Sequence, residues 1–163
     1  MKRTVQEPLS PMDHAMRYLT ARDRTVSEMQ TYLDGKEYGE ADIDATVERL
    51  IVLGLLNDAR YAVRFVETRL ASKPVSRRHL WEQLKGHGIS DELIRAALDT
   101  VEPEDELQNA RAVAEKYTRQ MKDLDPDMRR ERVLKRLLSR GFSYDVSRKA
   151  MDSVAEEEEW SES

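Results

Sequence analysis

A pattern of apolar residues that occurs three times constrains the fold of this 163-residue chain more than any other feature. The three segments are EMQTYLDGKEYGEADIDATV, HLWEQLKGHGISDELIRAAL and RVLKRLLSRGFSYDVSRKAM. Internal repetition on this scale is typical of arrays built from one supersecondary unit. Each segment has an apolar anchor and further apolar residues four, nine and eighteen positions later: Met29, Leu33, Tyr38 and Val47; Leu80, Leu84, Ile89 and Leu98; Val133, Leu137, Phe142 and Met151.

Each segment is predicted to form two helices joined by a short turn. The first two apolar positions lie one helical turn apart and therefore share a face. Gly88 and Gly141 follow the first helix, where a left-handed C-terminal cap is required. Glu37 stands at this place in the first segment, so we expect its cap to differ. Ser90 and Ser143 are the predicted N-caps of the following helices.

A further amphipathic helix precedes each segment, in PMDHAMRYLTAR, DARYAVRFVETRLAS and EDELQNARAVAEKYTRQM. The chain is therefore predicted to be all-α, with three tandem three-helix (helix-turn-helix-like) repeats in an elongated, curved array. We expect the repeats to stack, because one such unit buries little apolar surface alone. The predicted boundaries are a flexible N-terminus at 1–9, repeats at 10–57, 58–102 and 103–154, and a flexible acidic tail at 155–163.

The composition narrows the possible function classes. The chain has no Cys, which excludes disulfides, thiolate nucleophiles and zinc–thiolate sites. No apolar run approaches the length of a membrane span, and MKRTVQEPLSP lacks the core of a signal peptide, so we expect a cytoplasmic protein. The sequence has no phosphate-binding loop, dinucleotide motif, nucleophile elbow or HExxH motif. We predict no catalysis, and no cofactor or metal.

The net charge of −5 conceals an uneven distribution of charge along the chain. Between residues 60 and 90, seven Lys and Arg residues face two acidic residues, and between 129 and 149, eight face two. Arg outnumbers Lys in both zones, and its planar guanidinium suits phosphate and carboxylate partners. These central and C-terminal basic zones are either solvated helix faces or one surface that meets a polyanion.

Arg69 falls on the apolar arc of the helix that begins at Asp58, between Phe65 and Ala62 on the helical wheel. Its guanidinium is expected to reach solvent or a carboxylate near the helix end. A buried polar network, or a place at the edge of a binding groove, is the alternative.

Several motifs resemble those of the RecX family of recombination regulators. They are GLLNDARYAVRFVETR, the pattern L-x-x-Q-L-K-x-H-G-I-S-D-E-L-I and ARAVAEKY, with AMRYLTARDRTVSEMQTYL before them and VLKRLLSRGFSYDV after them. The likeness runs from about His14 to Val154. The family motif matches Asp58, Arg60, Tyr61, Ala62, Phe65 and Arg69.

The resemblance implies three tandem three-helix repeats and binding to the helical RecA filament on single-stranded DNA. It implies inhibition of filament extension, ATP hydrolysis and strand exchange. Two departures stand out. Many members have Gly-Pro-x-Arg where this chain has Ser76, Arg77, Arg78 and His79, and many have Gly where this chain has Glu37.

We therefore expect a non-catalytic, monomeric modulator of RecA that makes, at most, weak sequence-independent DNA contacts. The alternatives are a direct helix-turn-helix-like DNA-binding regulator, which would bind naked DNA with some sequence preference, and a helical adaptor for another protein. The residues predicted to face the RecA filament or DNA are Arg60, Arg64, Arg69, Lys73, Arg77, Arg78, Lys85, Arg129, Arg130, Arg132, Lys135 and Arg136.

Overall fold

The computed structural model describes residues 7–101 and 103–162, and within them the chain forms helices and no strand. Helices α1–α3 form repeat 1, α4–α6 repeat 2 and α7–α9 repeat 3, which confirms the predicted all-α fold of three three-helix repeats. None of the described helices is both long and apolar enough to cross a bilayer. The bounds are α1 (Pro11–Ala21), α2 (Val26–Asp34), α3 (Glu40–Val52), α4 (Asp58–Ser72), α5 (Arg77–Gly86), α6 (Asp91–Leu98), α7 (Pro103–Gln120), α8 (Pro126–Ser139) and α9 (Tyr144–Ser161).

The turn after the second helix of each repeat has one backbone conformation in all three copies. Gly88 and Gly141 have φ values of 78° and 86°, which confirms the predicted left-handed caps. Glu37 has φ 64°, so the expectation of a different cap in repeat 1 is wrong. The N–H of the next residue, Tyr38, Ile89 or Phe142, donates to the carbonyl five positions earlier in every copy. This bond belongs to the Schellman motif, which fixes the backbone whichever side chain is present.

The predicted N-caps are also present. Ser90 accepts from the Leu93 N–H, and Ser143 accepts from the Val146 N–H. Each hydroxyl satisfies one of the backbone donors that a helix start leaves free. These caps determine where α6 and α9 begin, immediately after each turn.

Each repeat has its own buried apolar cluster. The apolar anchors that define the sequence repeat lie inside these clusters: Met29 and Leu33 in repeat 1, Leu80 and Leu84 in repeat 2, and Val133 and Leu137 in repeat 3. Neighbouring repeats do stack, as predicted, but the reason given for it is wrong, because each three-helix unit closes its own core. The repeats instead meet through polar contacts.

The surface area is consistent with an extended arrangement of these units. The accessible surface is 11232 Å² for a mass of 18.9 kDa, whereas a compact monomer of that mass exposes roughly 8,300 Å². Three small cores in a row leave more surface than one large core. The surface available for binding is correspondingly large.

The predicted terminal segments have different outcomes. Most of the segment predicted as a flexible N-terminus lies outside the described residues. The acidic segment, expected to be a flexible tail, instead continues α9 as far as Ser161. Glutamate is a good helix former, and Glu157 pairs with Arg111 of α7, which holds this part of α9 against the repeat.

Candidate interaction surface

Repeats 1 and 2 meet where the start of α2 contacts repeat 2. This contact is here called the first junction. The Thr25 hydroxyl caps α2 and also donates to the His87 carbonyl at 2.7 Å. The Val26 N–H donates to the Asp58 carboxylate at 2.9 Å. Both bonds satisfy polar groups at a helix terminus that would otherwise need water.

Repeats 2 and 3 meet at the second junction, which has the same two bonds at equivalent positions. Ser76, which stands four residues before its anchor as Thr25 does, donates to the Arg140 carbonyl at 3.3 Å. The Arg77 N–H donates to the Glu106 carboxylate of α7 at 3.2 Å. Both distances exceed those of the first junction, so the second is bonded more weakly.

Glycine is required at both junctions because the neighbouring repeat approaches the turn closely. A Cβ at Gly88 would lie 2.4 Å from the Ser27 Cβ. A Cβ at Gly141 would lie 2.6 Å from the Ser76 Oγ. Each glycine therefore serves both the left-handed turn and the packing of the next repeat against it.

The first junction also contains an ionic cluster centred on Glu28. Its carboxylate accepts from His87 Nδ1 at 2.7 Å and pairs with Arg22 at 3.4 Å. Burial opposes ionisation of Glu28. The bonds from His87 and the Thr25 backbone, together with the charge of Arg22, outweigh it and lower the pKa of this carboxyl. Burial also raises the pKa of Tyr61, whose hydroxyl lies 3.3 Å from the same His87 nitrogen.

Among the described residues, the second junction has no counterpart of the pair between Glu28 and His87. The positions equivalent to Glu28 and His87 are His79 and Arg140, which are both basic. Arg140 turns instead towards α7 and donates to the Tyr117 hydroxyl at 3.1 Å. That bond lowers the pKa of Tyr117, with the charge of Arg140 acting in the same direction.

Within the central basic zone, most of the predicted contact residues lie on the surface. Arg64 pairs with Asp23 of repeat 1 at 3.3 Å, Arg78 with Glu82 at 3.3 Å and Lys85 with Asp91 at 2.8 Å. Surface pairs of this kind contribute only about 0–1 kcal/mol. These cations can therefore exchange their carboxylates for an external anion. Arg60 donates to the Gly54 carbonyl, and Lys73 is exposed.

Two predicted contact residues are engaged inside the structure. The Arg69 guanidinium lies over the Phe65 ring at 5.0 Å, so its place on the apolar arc reflects stacking on an aromatic ring. The Arg77 guanidinium donates to the Val101 carbonyl at 2.6 Å and lies 3.8 Å from Asp99. With 32% of its side chain exposed, against 79% for Arg78, Arg77 holds the end of α6 more than it faces solvent.

The predicted residues of the C-terminal basic zone all lie on α8. Arg130 pairs with Asp152 of α9 at 2.8 Å, and Lys135 pairs with Glu131 at 2.7 Å. Arg136 lies over the Tyr117 ring at 5.4 Å. Arg132 is exposed and Arg129 is half-buried. The two zones therefore present cations along successive repeats, and do not bring them together in one pocket.

Sequence reasoning missed the polar cluster at the first junction. The cluster of Glu28, Tyr61 and His87 joins side chains that lie 26 to 59 positions apart in the sequence, and the equal spacing of Thr25 and Ser76 before their anchors was a signal that could have pointed to it.

The comparisons with known proteins follow the same three-repeat division. Residues 12–50 match the family model described as RecX, first three-helix domain; residues 57–98 match the second domain and residues 104–151 the third. The regulatory protein RecX of Chromohalobacter salexigens is 32% identical over 142 residues, which cover 87% of this chain and 91% of the relative. That of Streptomyces coelicolor is 28% identical over 157 residues, covering 94% and 84%.

Solved structures show the same fold. The crystal structure of RecX from Lactobacillus salivarius superposes with a TM-score of 0.82 at 24% identity, covering 89% of this chain and 94% of that one. A second RecX crystal structure gives a TM-score of 0.77 at 24% identity, covering 87% and 70%. With three consecutive domain matches across most of its length, this chain belongs to the RecX family of regulatory proteins.

Proposed function

We propose that this protein regulates RecA by binding the RecA filament on single-stranded DNA and limiting its extension, ATP hydrolysis and strand exchange. It acts as a cytoplasmic monomer, without catalysis of its own. The family assignment supports a regulatory role. The observation that carries the proposal is the display of exposed cations along repeats 2 and 3, on units that each hold their own core.

This arrangement suits a long, repetitive partner better than a small ligand. A filament offers the same acidic surface at regular intervals, and an elongated array can contact more than one interval at once. Linked contacts raise the overall affinity far beyond that of each contact alone. A bound array that spans neighbouring protomers would obstruct both their addition and their rearrangement during ATP hydrolysis.

The charges needed for this contact are available at little energetic cost. Arg78 and Lys85 hold only exposed carboxylates of their own repeat. Arg132 carries no hydrogen bond or ion pair among the described residues. An acidic protein surface or a DNA phosphate can therefore bind these side chains without disrupting a repeat.

The test is RecA's ATP hydrolysis on single-stranded DNA, with this protein titrated from far below to above equimolar amounts. We expect inhibition by the parent protein, and a several-fold higher half-inhibitory concentration for Arg78→Ala combined with Arg132→Ala. Arg77 is left intact, because its loss would disturb the end of α6. The matched control is Arg119→Ala, an exposed arginine of α7 outside both basic zones, which is expected to inhibit like the parent.

Unfolding curves of each variant show whether the fold is retained. Absence of inhibition by the parent at every ratio would contradict the proposed function. Equal inhibition by the parent and the double variant would contradict the role of the two basic zones.

A further inference from the structure

The end of α3 exposes a group of large apolar side chains that are adjacent in the sequence. They are Ile51, Val52, Leu53 and Leu55, here called the apolar tip, and each is between 40% and 71% exposed. The other exposed large apolar residues of the described chain stand singly. Single exposed apolar residues are ordinary on a protein surface, whereas a contiguous group marks an interaction site. The apolar tip is therefore the part of repeat 1 that a partner would cover.

The three-helix fold does not require apolar side chains at these positions. One buried apolar position just before the tip recurs in all three repeats, as Leu50, Val101 and Val154. Beyond it, Leu53 and Leu55 correspond to carboxylates in the other copies: Glu104 and Glu106 in repeat 2, and Glu157 and Glu159 in repeat 3. Only repeat 1 has leucines there, so a contact outside the repeat explains them better than its own packing does.

The apolar tip is held firmly in its exposed position. The Leu55 N–H donates to the Leu50 carbonyl at 2.9 Å, and the Arg60 guanidinium donates to the Gly54 carbonyl at 2.7 Å. Leu50 and Leu56, on either side of the tip, are buried in the core of repeat 1. The exposed side chains therefore cannot turn inward, and a surface that is already ordered loses less conformational entropy when it binds.

The tip projects and does not form a flat face. Successive residues of an α-helix point about 100° apart, so Ile51, Val52 and Leu53 fan out around the end of α3. A projection of this kind buries its apolar surface by entering a groove on a partner.

Two arginines beside the tip have no carboxylate partner among the described residues. Arg49 stands one helical turn before Leu53, and its side chain makes no hydrogen bond or ion pair there. Arg60 donates only to a backbone carbonyl of the tip. The carboxylates nearest in sequence are Glu48, which is exposed, and Asp58, which bonds at the first junction. One available carboxylate against two arginines favours a groove that is edged by carboxylates.

A second copy of this chain does not suit the tip. A contact between identical surfaces places each patch against itself, which would bring the arginines of the two copies together. Four side chains are also far fewer than the roughly 20–30 residues a side of a stable interface. The tip is therefore one anchor within a larger contact.

We propose that the apolar tip anchors this protein on the RecA filament, by entering an apolar groove edged by carboxylates on a protomer. The inference rests on the proposed function and adds to it a contact from repeat 1, which the basic zones of repeats 2 and 3 do not supply. A few apolar anchors usually contribute most of the binding energy of an interface, whereas exposed charges mainly guide association and orientation.

The experiment measures cosedimentation of this protein with RecA filaments, assembled on single-stranded DNA with a slowly hydrolysed ATP analogue, at low and at high salt. Val52→Ser combined with Leu53→Ser is expected to weaken binding by roughly 10- to 100-fold. The loss should be similar at both salt concentrations, because salt screens charges and not apolar contacts. Val52→Ile combined with Leu53→Met, which keeps the tip apolar, should bind like the parent.

Two further variants test what is specific to the tip. Trp160→Ala removes an apolar side chain that is 84% exposed at the end of α9, and it should bind like the parent. Arg49→Glu should weaken binding several-fold at low salt and less at high salt, because it places a carboxylate against the carboxylates of the groove. Unfolding curves show that each variant retains its fold.

Equal filament binding by the parent and the Val52→Ser, Leu53→Ser variant would overturn the inference and leave the proposed function standing. Equal weakening by Trp160→Ala would also overturn it, since the effect would not belong to the tip. Equal filament binding together with loss of self-association or of binding to anionic vesicles would assign the tip to a second copy or to a membrane surface. No binding of filaments by the parent would instead contradict the proposed function, and this inference with it.

Discussion

The two junctions share a plan but differ in strength. At both, a capping hydroxyl donates to a turn carbonyl of the next repeat, and the first N–H of the helix donates to a carboxylate of that repeat. The first junction adds the pair between Glu28 and His87 and a bridge from Arg64 to Asp23. The second has two basic residues where the first has that pair.

This difference teaches that the repeats are not equally coupled. Each closes its own core, so the polar contacts at the junctions determine how firmly neighbours are held. Repeats 1 and 2 should therefore move together, and the array should bend more readily between repeats 2 and 3.

The largest expected effect is at the glycine of the first junction. Gly88→Ala should lower the free energy of unfolding by about 2–4 kcal/mol, because the left-handed backbone and a fixed Cβ of Ser27 both oppose the new methyl group. Gly141→Ala should cost about 2–3 kcal/mol, since the left-handed backbone is again strained and the new methyl group would displace the Ser76 hydroxyl from its bonds with the His79 N–H and the Arg140 carbonyl.

Urea unfolding followed by far-UV circular dichroism measures both. Gly86→Ala is the control, because nothing lies within 4 Å of a Cβ there and its φ is ordinary, so it should be neutral or slightly stabilising. A larger loss for Gly141→Ala than for Gly88→Ala would reverse the ranking of the junctions.

The capping hydroxyls are the next test. Thr25→Val should lower the unfolding free energy by about 1–3 kcal/mol, since it removes the cap of α2 and leaves the His87 carbonyl without its donor. Ser76→Ala should cost about 1–2 kcal/mol because its bond across the junction is longer. Thr20→Val, which removes a hydroxyl bonded only within α1, should change the value by less than about 0.5 kcal/mol. Equal losses at Thr25 and Ser76 would show that bond length does not distinguish the junctions.

The ionic cluster predicts a pH dependence specific to the first junction. Because the folded-state pKa of Glu28 lies below its ordinary value of 4.5, its carboxylate stabilises the protein above that pH and loses this contribution as the pH falls further. The parent should therefore be more stable than Glu28→Gln at neutral pH, and the two should converge as the pH falls below 4.5. Burial raises the pKa of Asp58, and the charge of Glu28 acts in the same direction, so Glu28→Gln also brings the pKa of Asp58 nearer its ordinary value and reduces this opposing contribution. A constant difference across this range would exclude Glu28 as the source.

The smallest effect should come from transferring the ion pair to the second junction. His79 occupies the third helical position of α5, where Glu28 stands in α2 and completes a capping box with Thr25. His79→Glu should raise the unfolding free energy by about 0.5–1 kcal/mol, by completing that box and facing Arg140. His79→Gln supplies the box without the charge, so the difference between the variants isolates the charge. No gain from either variant would contradict the equivalence of the two junctions.

Much of the fold was predictable because apolar spacing is a local property. Leu33, Leu84 and Leu137 are fully buried at the offset that the repeat pattern gave them. The turn at Glu37 was not predictable, since its hydrogen bonds impose a left-handed conformation on a residue that seldom adopts it. The continuation of α9 depends on the pair between Glu157 and Arg111, which are distant in sequence.

For the candidate site, the sequence predicted only two zones rich in basic residues. The sequence located the basic zones, but it could not show that Arg77 holds the end of α6 while the adjacent Arg78 faces solvent. Both residues follow the same N-cap. Arg77 bonds to the end of α6, whereas Arg78, the next residue, is free to contact a partner. The partner of each cation depends on which repeat lies beside it, and only the folded chain shows that.

The left-handed turn at Glu37 differs from the turn at Gly88 in what can pack against it. A preceding repeat could not dock on this turn as Thr25 docks on repeat 2, because a side chain occupies the space that Gly88 leaves open. At the other end, the position of the docking hydroxyl holds Arg129, inside a helix that starts earlier, at Pro126. A second molecule therefore finds neither half of the connection on the ends of the first. The contact that joins repeats within the chain is therefore not reproduced on the outer faces of repeats 1 and 3, so we expect this contact to disfavour open-ended head-to-tail assembly.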